Sequence, residues 1–137
     1  MANTIKLKTY SDNTEEAVAS VAVSPGHLLQ RDSDGKFKPH ASALGYAETL
    51  FATEDDLQGN TILTEYEIGT RVFGYHAYPG DEINALFTAA ENIAIGDKLE
   101  SAGDGTLQEF TSGVVVAIAI EAIASAVAGT HYAVKII

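Results

Sequence analysis

Two stretches of this chain, seventy residues apart, follow one pattern without a gap, and that repetition limits the fold more than any other feature. Val23-Ser-Pro-Gly-His-Leu-Leu-Gln-Arg-Asp-Ser-Asp34-Gly35-Lys-Phe37 lies over Ile93-Ala-Ile-Gly-Asp-Lys-Leu-Glu-Ser-Ala-Gly-Asp104-Gly105-Thr-Leu107. In register, Gly26 meets Gly96, Leu29 meets Leu99, Asp34-Gly35 meets Asp104-Gly105 and Phe37 meets Leu107. The match runs on into the apolar stretches Leu44–Leu50 and Val114–Ile120, and Pro79-Gly80-Asp81-Glu82-Ile83 is a shortened third echo of the opening step. Each copy reads as strand, Gly turn, strand, Asp-Gly hairpin, strand. Asp34-Gly35 and Asp104-Gly105 are therefore expected to be tight turns with the glycine at positive φ, and Gly26, Gly80 and Gly96 to serve as further structural turns.

The rest of the composition fits one small domain. A chain of 137 residues with 46% hydrophobic and 20% charged residues has enough apolar side chains to bury a core, so wholesale disorder is excluded. A formal net charge of −11 argues against nucleic acid, whose binders need a basic surface, and equally against an anionic membrane. There is no Cys, hence no disulfide framework and no thiolate metal site. The first residues lack the apolar centre of a signal peptide, which places the protein in the cytoplasm where it is made unless something carries it out. The apolar run Val114–Ala128 is interrupted by Glu121 and Ser125 and is too short to span a bilayer, so it reads as a buried strand followed by a small-residue loop.

Along the chain, Thr4–Tyr10 alternates apolar and polar as a half-exposed strand. Ser11–Ser20 is polar and reads as a linker or one helical turn, giving an N-terminal strand or arm over 1–20 and a single β-rich domain over 21–137, with repeats at about 23–52 and 93–122. An acidic connection, Thr53–Asn60, leads to an alternating strand at Arg71–Tyr78. Helical patterning is confined to Asp81–Ala90, and His131–Ile137 closes the chain as a strand. Short strands at regular spacing predict a mainly β fold, a compact barrel or sandwich built from repeated hairpins with little helix.

Catalytic signatures are sparse. His27, His40, His76 and His131 form no metal-binding spacing, and each reads as surface or strand packing. Asp32-Ser-Asp34-Gly35 resembles the start of a calcium loop, but aligning Gly35 puts Ala41 where a bidentate Glu is needed. No nucleophile elbow, phosphate loop or dinucleotide fingerprint is present. No catalytic, cofactor or metal residue is therefore assigned.

Tyr75-His-Ala-Tyr-Pro-Gly-Asp-Glu-Ile-Asn-Ala-Leu86, followed by Ala90-Glu-Asn-Ile-Ala-Ile-Gly-Asp-Lys-Leu-Glu-Ser-Ala-Gly-Asp-Gly-Thr-Leu107, resembles the head decoration (capsid cement) proteins of tailed bacteriophages. The likeness is closest over 71–137, and its motifs are turn and strand signatures. The resemblance implies a small non-enzymatic β protein on the outside of the expanded capsid, bound to the major capsid protein, often as a trimer. That would place it on the outer surface of the virion after synthesis in the host cytoplasm.

High negative charge suits solubility at high copy number. The one local exception is N-terminal, where Lys6 and Lys8 precede the first acid, Asp12. With Ile5, Leu7 and Tyr10 they form a candidate capsid-binding strand that adds to a neighbouring sheet, or else the ordinary first strand of the domain's own sheet. Trimer contacts are expected around Val72, Phe73 and Tyr75 or in the Ala-rich loop 122–128. Two other classes stay open: a carbohydrate- or ligand-binding barrel using surface tyrosines, and a small hydrolase with converging, pKa-shifted Asp, Glu or His groups.

Overall fold

The protein is described by a computed structural model covering residues 3–137. It contains β1 (Lys6–Lys8), β2 (Thr14–Val18), β3 (Leu29–Arg31), β4 (Phe37–Pro39), β5 (Leu50–Ala52), β6 (Arg71–His76), β7 (Glu82–Leu86), β8 (Lys98–Ser101), β9 (Leu107–Glu109), β10 (Ala117–Ala119) and β11 (His131–Ile136). A single 3-10 turn, Asp56–Gln58, is the only helix among the described residues. The mainly β expectation holds.

The repetition extends well beyond the two matched segments. Strands β2–β6 and β7–β11 are two copies of one five-stranded unit. In the first, β6 lies between β2 and β5; in the second, β11 lies between β7 and β10, all antiparallel. Each unit carries its hairpin in the same place, β3–β4 and β8–β9. Short pairings then close the ring. Leu28 pairs with Phe51 and Ala19 with Phe37 in the first unit; β8 pairs with β10 and Phe87 with Leu107 in the second. The chain is thus two small barrels in tandem.

Hydrogen bonds repeat with the strands. The Gly26 amide donates to the Ala52 carbonyl and the Gly96 amide to the Ala119 carbonyl, both at 2.8 Å. Val23 and Tyr66 exchange a pair of backbone bonds, as do Ile93 and Ile123. The largest insertion separates β5 from β6, at 53–70, where the second unit has only 120–130 between β10 and β11.

Leu29, Phe37, Leu50, Ala52 and Val72 fill the first barrel. Leu99, Leu107, Ala117, Ala119 and Val134 belong to a larger cluster that also takes in Leu28, Phe51 and Tyr75 from the first unit. The second barrel's cluster therefore extends into the first unit, while the interior of the first barrel makes a separate, smaller cluster. Gly74 on β6 shows how tightly the first is filled. A Cβ there would lie 3.1 Å from both Leu50 Cδ1 and Phe37 Cε2, whereas the matching position on β11 is Val134.

Several expectations need correction. Segment 11–20 is neither linker nor helical turn, because Thr14–Val18 is a strand paired residue for residue with β6. Glu15 and Glu16 hid it, since charged residues are common on edge strands. The division at residue 20 dissolves with it: β1 pairs with β7 and β2 with β6, so the described part of 1–20 belongs to the domain, while Met1 and Ala2 lie outside the described residues. Asp81–Ala90 contains a strand rather than a helix, for β7 is buried on both faces and shows no alternation. The echo at 79–83 is the β6–β7 turn, not a third module. Val72 and Tyr75 are fully buried within the chain, so neither is free for contacts between copies.

Candidate functional site

The turn residues behave as their types require. Gly26, Gly35, Gly80, Gly96 and Gly105 all take positive φ, between 80° and 96°. Hairpin one closes through an Asp32 amide bond to the Lys36 carbonyl and a Gly35 amide bond to the Asp32 carbonyl, a type I turn ending in a left-handed glycine. The carboxylates do not align as the glycines do. Asp32 Oδ1 accepts from the Asp34 and Lys36 amides, while in hairpin two Asp104 Oδ1 accepts from the Thr106 amide. Asp34 itself is exposed, accepting from the Ser33 hydroxyl at 3.5 Å and approaching Lys36 at 4.0 Å. Gly105 donates to the His40 carbonyl, which docks the second hairpin on the first.

The five N-terminal residues have different fates. Ile5 is fully buried in the shared core. Lys6 and Leu7 are half-buried, Lys6 reaching Asp12 at 3.0 Å and lying 5.3 Å above the Tyr75 ring. Lys8 is exposed, 5.9 Å from the centre of the Tyr10 ring, which is 70% exposed. The segment is therefore the first strand of the domain's own sheet, at its outer edge.

Buried Asp81 fixes what lies beyond. It accepts from the Tyr10 amide at 3.1 Å, the Tyr78 amide at 3.0 Å and the Tyr75 hydroxyl at 2.6 Å. Burial, followed by the bond to Asp81, raises the Tyr75 pKa. The Gly80 amide bonds to the Ile136 carbonyl, which brings the chain end alongside. Tyr10, Tyr78 and Ile137, with Lys8, are all exposed around the Asp81 turn and give it aromatic, aliphatic and cationic side chains. Alternation revealed the strand; nothing local in the sequence pointed to Tyr78 and Ile137 as its neighbours.

A second polar cluster was missed. At the mouth of the first barrel, Arg31 bonds to both Glu15 and Glu48, and Glu15 also meets His76 Nε2 at 2.8 Å. The Arg31 bonds, then His76, hold the Glu15 carboxyl down at about 2, and the two carboxylates raise the Arg31 pKa in turn. The matching residues of the second barrel are Ile83, Ser101, Val115 and Ile136, so the first barrel is plugged by charge where the second has mainly aliphatic groups. The two carboxylates close on the Arg31 guanidinium, and Arg31 and Glu48 line an open cleft of about 230 Å³ with His40 and Tyr46. Among the described residues no group of three or more His, Asp or Glu is arranged to hold a metal ion.

Glu100 is the other strongly shifted acid. Burial works against its charge, but Gln108 Nε2, the Thr111 amide and hydroxyl and the Gly113 amide, all within 3.0 Å, bring it down to about 2. Its oxygens are committed to holding loop 111–113. His40 is equally committed: Nε2 donates to the Tyr46 carbonyl at 2.7 Å and Nδ1 accepts from Ser101 at 2.6 Å. Burial lowers the His27 pKa, and its Nδ1 accepts from the Ser24 amide just as Asp97 accepts from the Ala94 amide in the second unit. An open cleft of about 410 Å³ is lined by Ile62, Leu63, Asn84, Thr130 and His131.

No family model matches the chain, and no curated protein does. Its fold is similar to the crystal structure of the head fiber gp8.5 N base in bacteriophage phi29, with a TM-score of 0.62 and 17% identity. The similarity covers 93% of this chain and 95% of that one, so it runs over nearly the whole of both.

Proposed function

We propose that this chain is a structural, non-enzymatic protein of a tailed-phage head, seated on the outer surface of the expanded shell and stabilising it as a decoration protein. The observation that carries the reading is the end-to-end likeness in fold to a phage head fiber base. The turn and strand signatures at 75–107, which resemble head decoration proteins, support it independently. The second barrel's hydrophobic cluster takes in Leu28, Phe51 and Tyr75 of the first unit, which ties the two barrels together, and a net charge of −11 keeps many copies soluble before assembly.

The partner in this reading is the major capsid protein, and the attachment surface is the patch of Lys8, Tyr10, Tyr78 and Ile137. Aromatic residues on a rigid edge give large contact area at low entropic cost. Copies meet as a homotrimer through loop 122–128, where Val127 is 60% exposed. The test is co-sedimentation with expanded heads lacking this protein. Wild type pellets with the heads, and Tyr10→Ala with Lys8→Glu lowers binding at least about tenfold without changing the circular dichroism. Undiminished binding by that folded variant overturns the assignment of the surface.

A further inference from the structure

In each barrel one strand is paired along one edge for its whole length but meets the ring on its other edge only at its far end: β2 in the first, β7 in the second. The far ends are held alike, by the Ser20 amide on the Phe37 carbonyl and the Thr88 amide on the Leu107 carbonyl. The near end of β7 is covered by β1. Lys6 stands opposite Ile83, Lys8 opposite Glu82, and the Asn84 amide donates to the Ile5 carbonyl at 2.8 Å. Among the described residues no strand covers Thr14–Glu16, the matching end of β2.

Half of the backbone groups on this strand point outward. The His76 amide bonds to the Asn13 carbonyl and the Ala19 amide to the Thr70 carbonyl, so alternate residues 13, 15, 17 and 19 face β6. Thr14 and Glu16 therefore turn their carbonyls, and Glu16 its amide, to the open side, and both residues are exposed.

We propose that this edge accepts an extended, lysine- or arginine-bearing segment of another polypeptide, added as a strand where β1 sits on β7. Charge selects the occupant. Glu16 meets Arg71 only at a loose 3.8 Å, and Asp12 beside it is 86% exposed despite its bond to Lys6. A second copy pairing β2 against β2 would oppose Glu to Glu, whereas the internal example sets Lys8 against Glu82. A short edge guarded by acids discourages indiscriminate pairing yet admits a cationic strand through main-chain bonds. The inference rests on the duplication and is independent of attachment to a phage head.

The probe is a synthetic peptide of residues 3–10 of this chain, added to the isotope-labelled full chain and followed by amide resonances and hydrogen exchange. Saturable shifts at Thr14–Val18, with exchange at Glu16 slowed about tenfold near nine-tenths occupancy, are expected. The same peptide carrying Lys6→Glu and Lys8→Glu should bind about tenfold more weakly, and Glu16→Pro in the protein should abolish binding. Should Glu16→Pro fail to fold, a peptide N-methylated on alternate amides replaces it and should not bind. No perturbation at 14–18, perturbation confined to β7, or equal binding of the charge-reversed peptide overturns the proposal. Protection of 14–18 by self-association of the protein alone overturns the choice of occupant.

Discussion

Gly35 and Gly105 occupy matching hairpins and have nearly the same φ, 80° and 85°, yet alanine at the two should cost different amounts. Holding a non-glycine residue in the left-handed region costs about 1–2 kcal/mol, and that charge applies to both. At Gly35 nothing lies within 4 Å of the added methyl. At Gly105 the methyl would stand 2.8 Å from Pro39 Cβ and 3.0 Å from the His27 ring, because the second hairpin docks against the first. The ring is not free to swing away, since its Nδ1 accepts from the Ser24 amide. Overpacking of that kind adds about 1–3 kcal/mol. Gly35→Ala should therefore lose about 1–2 kcal/mol and Gly105→Ala about 2–5 kcal/mol. At about 3 °C per kcal/mol for a domain of this size, the second variant should melt about 3–9 °C below the first. Thermal and urea denaturation followed by circular dichroism, with equal m-values confirming a common unfolded state, measure the difference. Equal losses, or a larger loss at Gly35, would refute the docking of the hairpins, though not the hairpins themselves.

Glu100→Gln should destabilise the fold at neutral pH. The native carboxyl sits at about 2 against an ordinary value near 4.5, so its contribution, about 3 kcal/mol for this fully buried group, is complete above pH 5 and lost as pH falls toward 2. Wild type should lose stability across that window and the variant much less, as read by urea midpoints at pH 7, 4 and 2.5. Arg31→Met should cost about 1–2 kcal/mol by leaving Glu15 and Glu48 facing each other, discounted because the cluster is about a third exposed. Adding Glu15→Ile and Glu48→Val, the second barrel's residues, should recover most of that loss in thermal melts. Ile5→Ala should cost about 2–4 kcal/mol, so deleting residues 1–10 would open the core rather than trim a free arm, visible as a lowered Tm.

The fold was legible where turn chemistry and alternation act locally. Gly35 and Gly105 announced their hairpins because few other residues accept positive φ, and the strand at 131–136 showed its alternation. The full duplication was not legible. Beyond the hairpins the two copies keep strand order and hydrogen bonds but not residue type, and where Gly74 matches Val134 or Glu15 matches Ile83 there is nothing to align. Strand β2 stayed hidden because Glu15 and Glu16 serve an edge and an ion-pair plug instead of a hydrophobic face. Likewise the N-terminal residues were recognisable as a strand, but its neighbours Tyr78 and Ile137 come together only through the Asp81 turn and the bond from Gly80 to Ile136.

The account stands or falls on what the protein does to a phage shell. A protein that binds only the assembled, expanded lattice must stabilise it by the free energy of the occupied sites. On the proposed function, expanded phage heads lacking this protein should be heated with and without saturating amounts of it while DNA release is recorded by dye fluorescence. The predicted result is a release temperature that rises with occupancy and reaches a plateau once the sites are filled. A release temperature unchanged at every concentration, with no protein on the recovered heads, would contradict the proposed function.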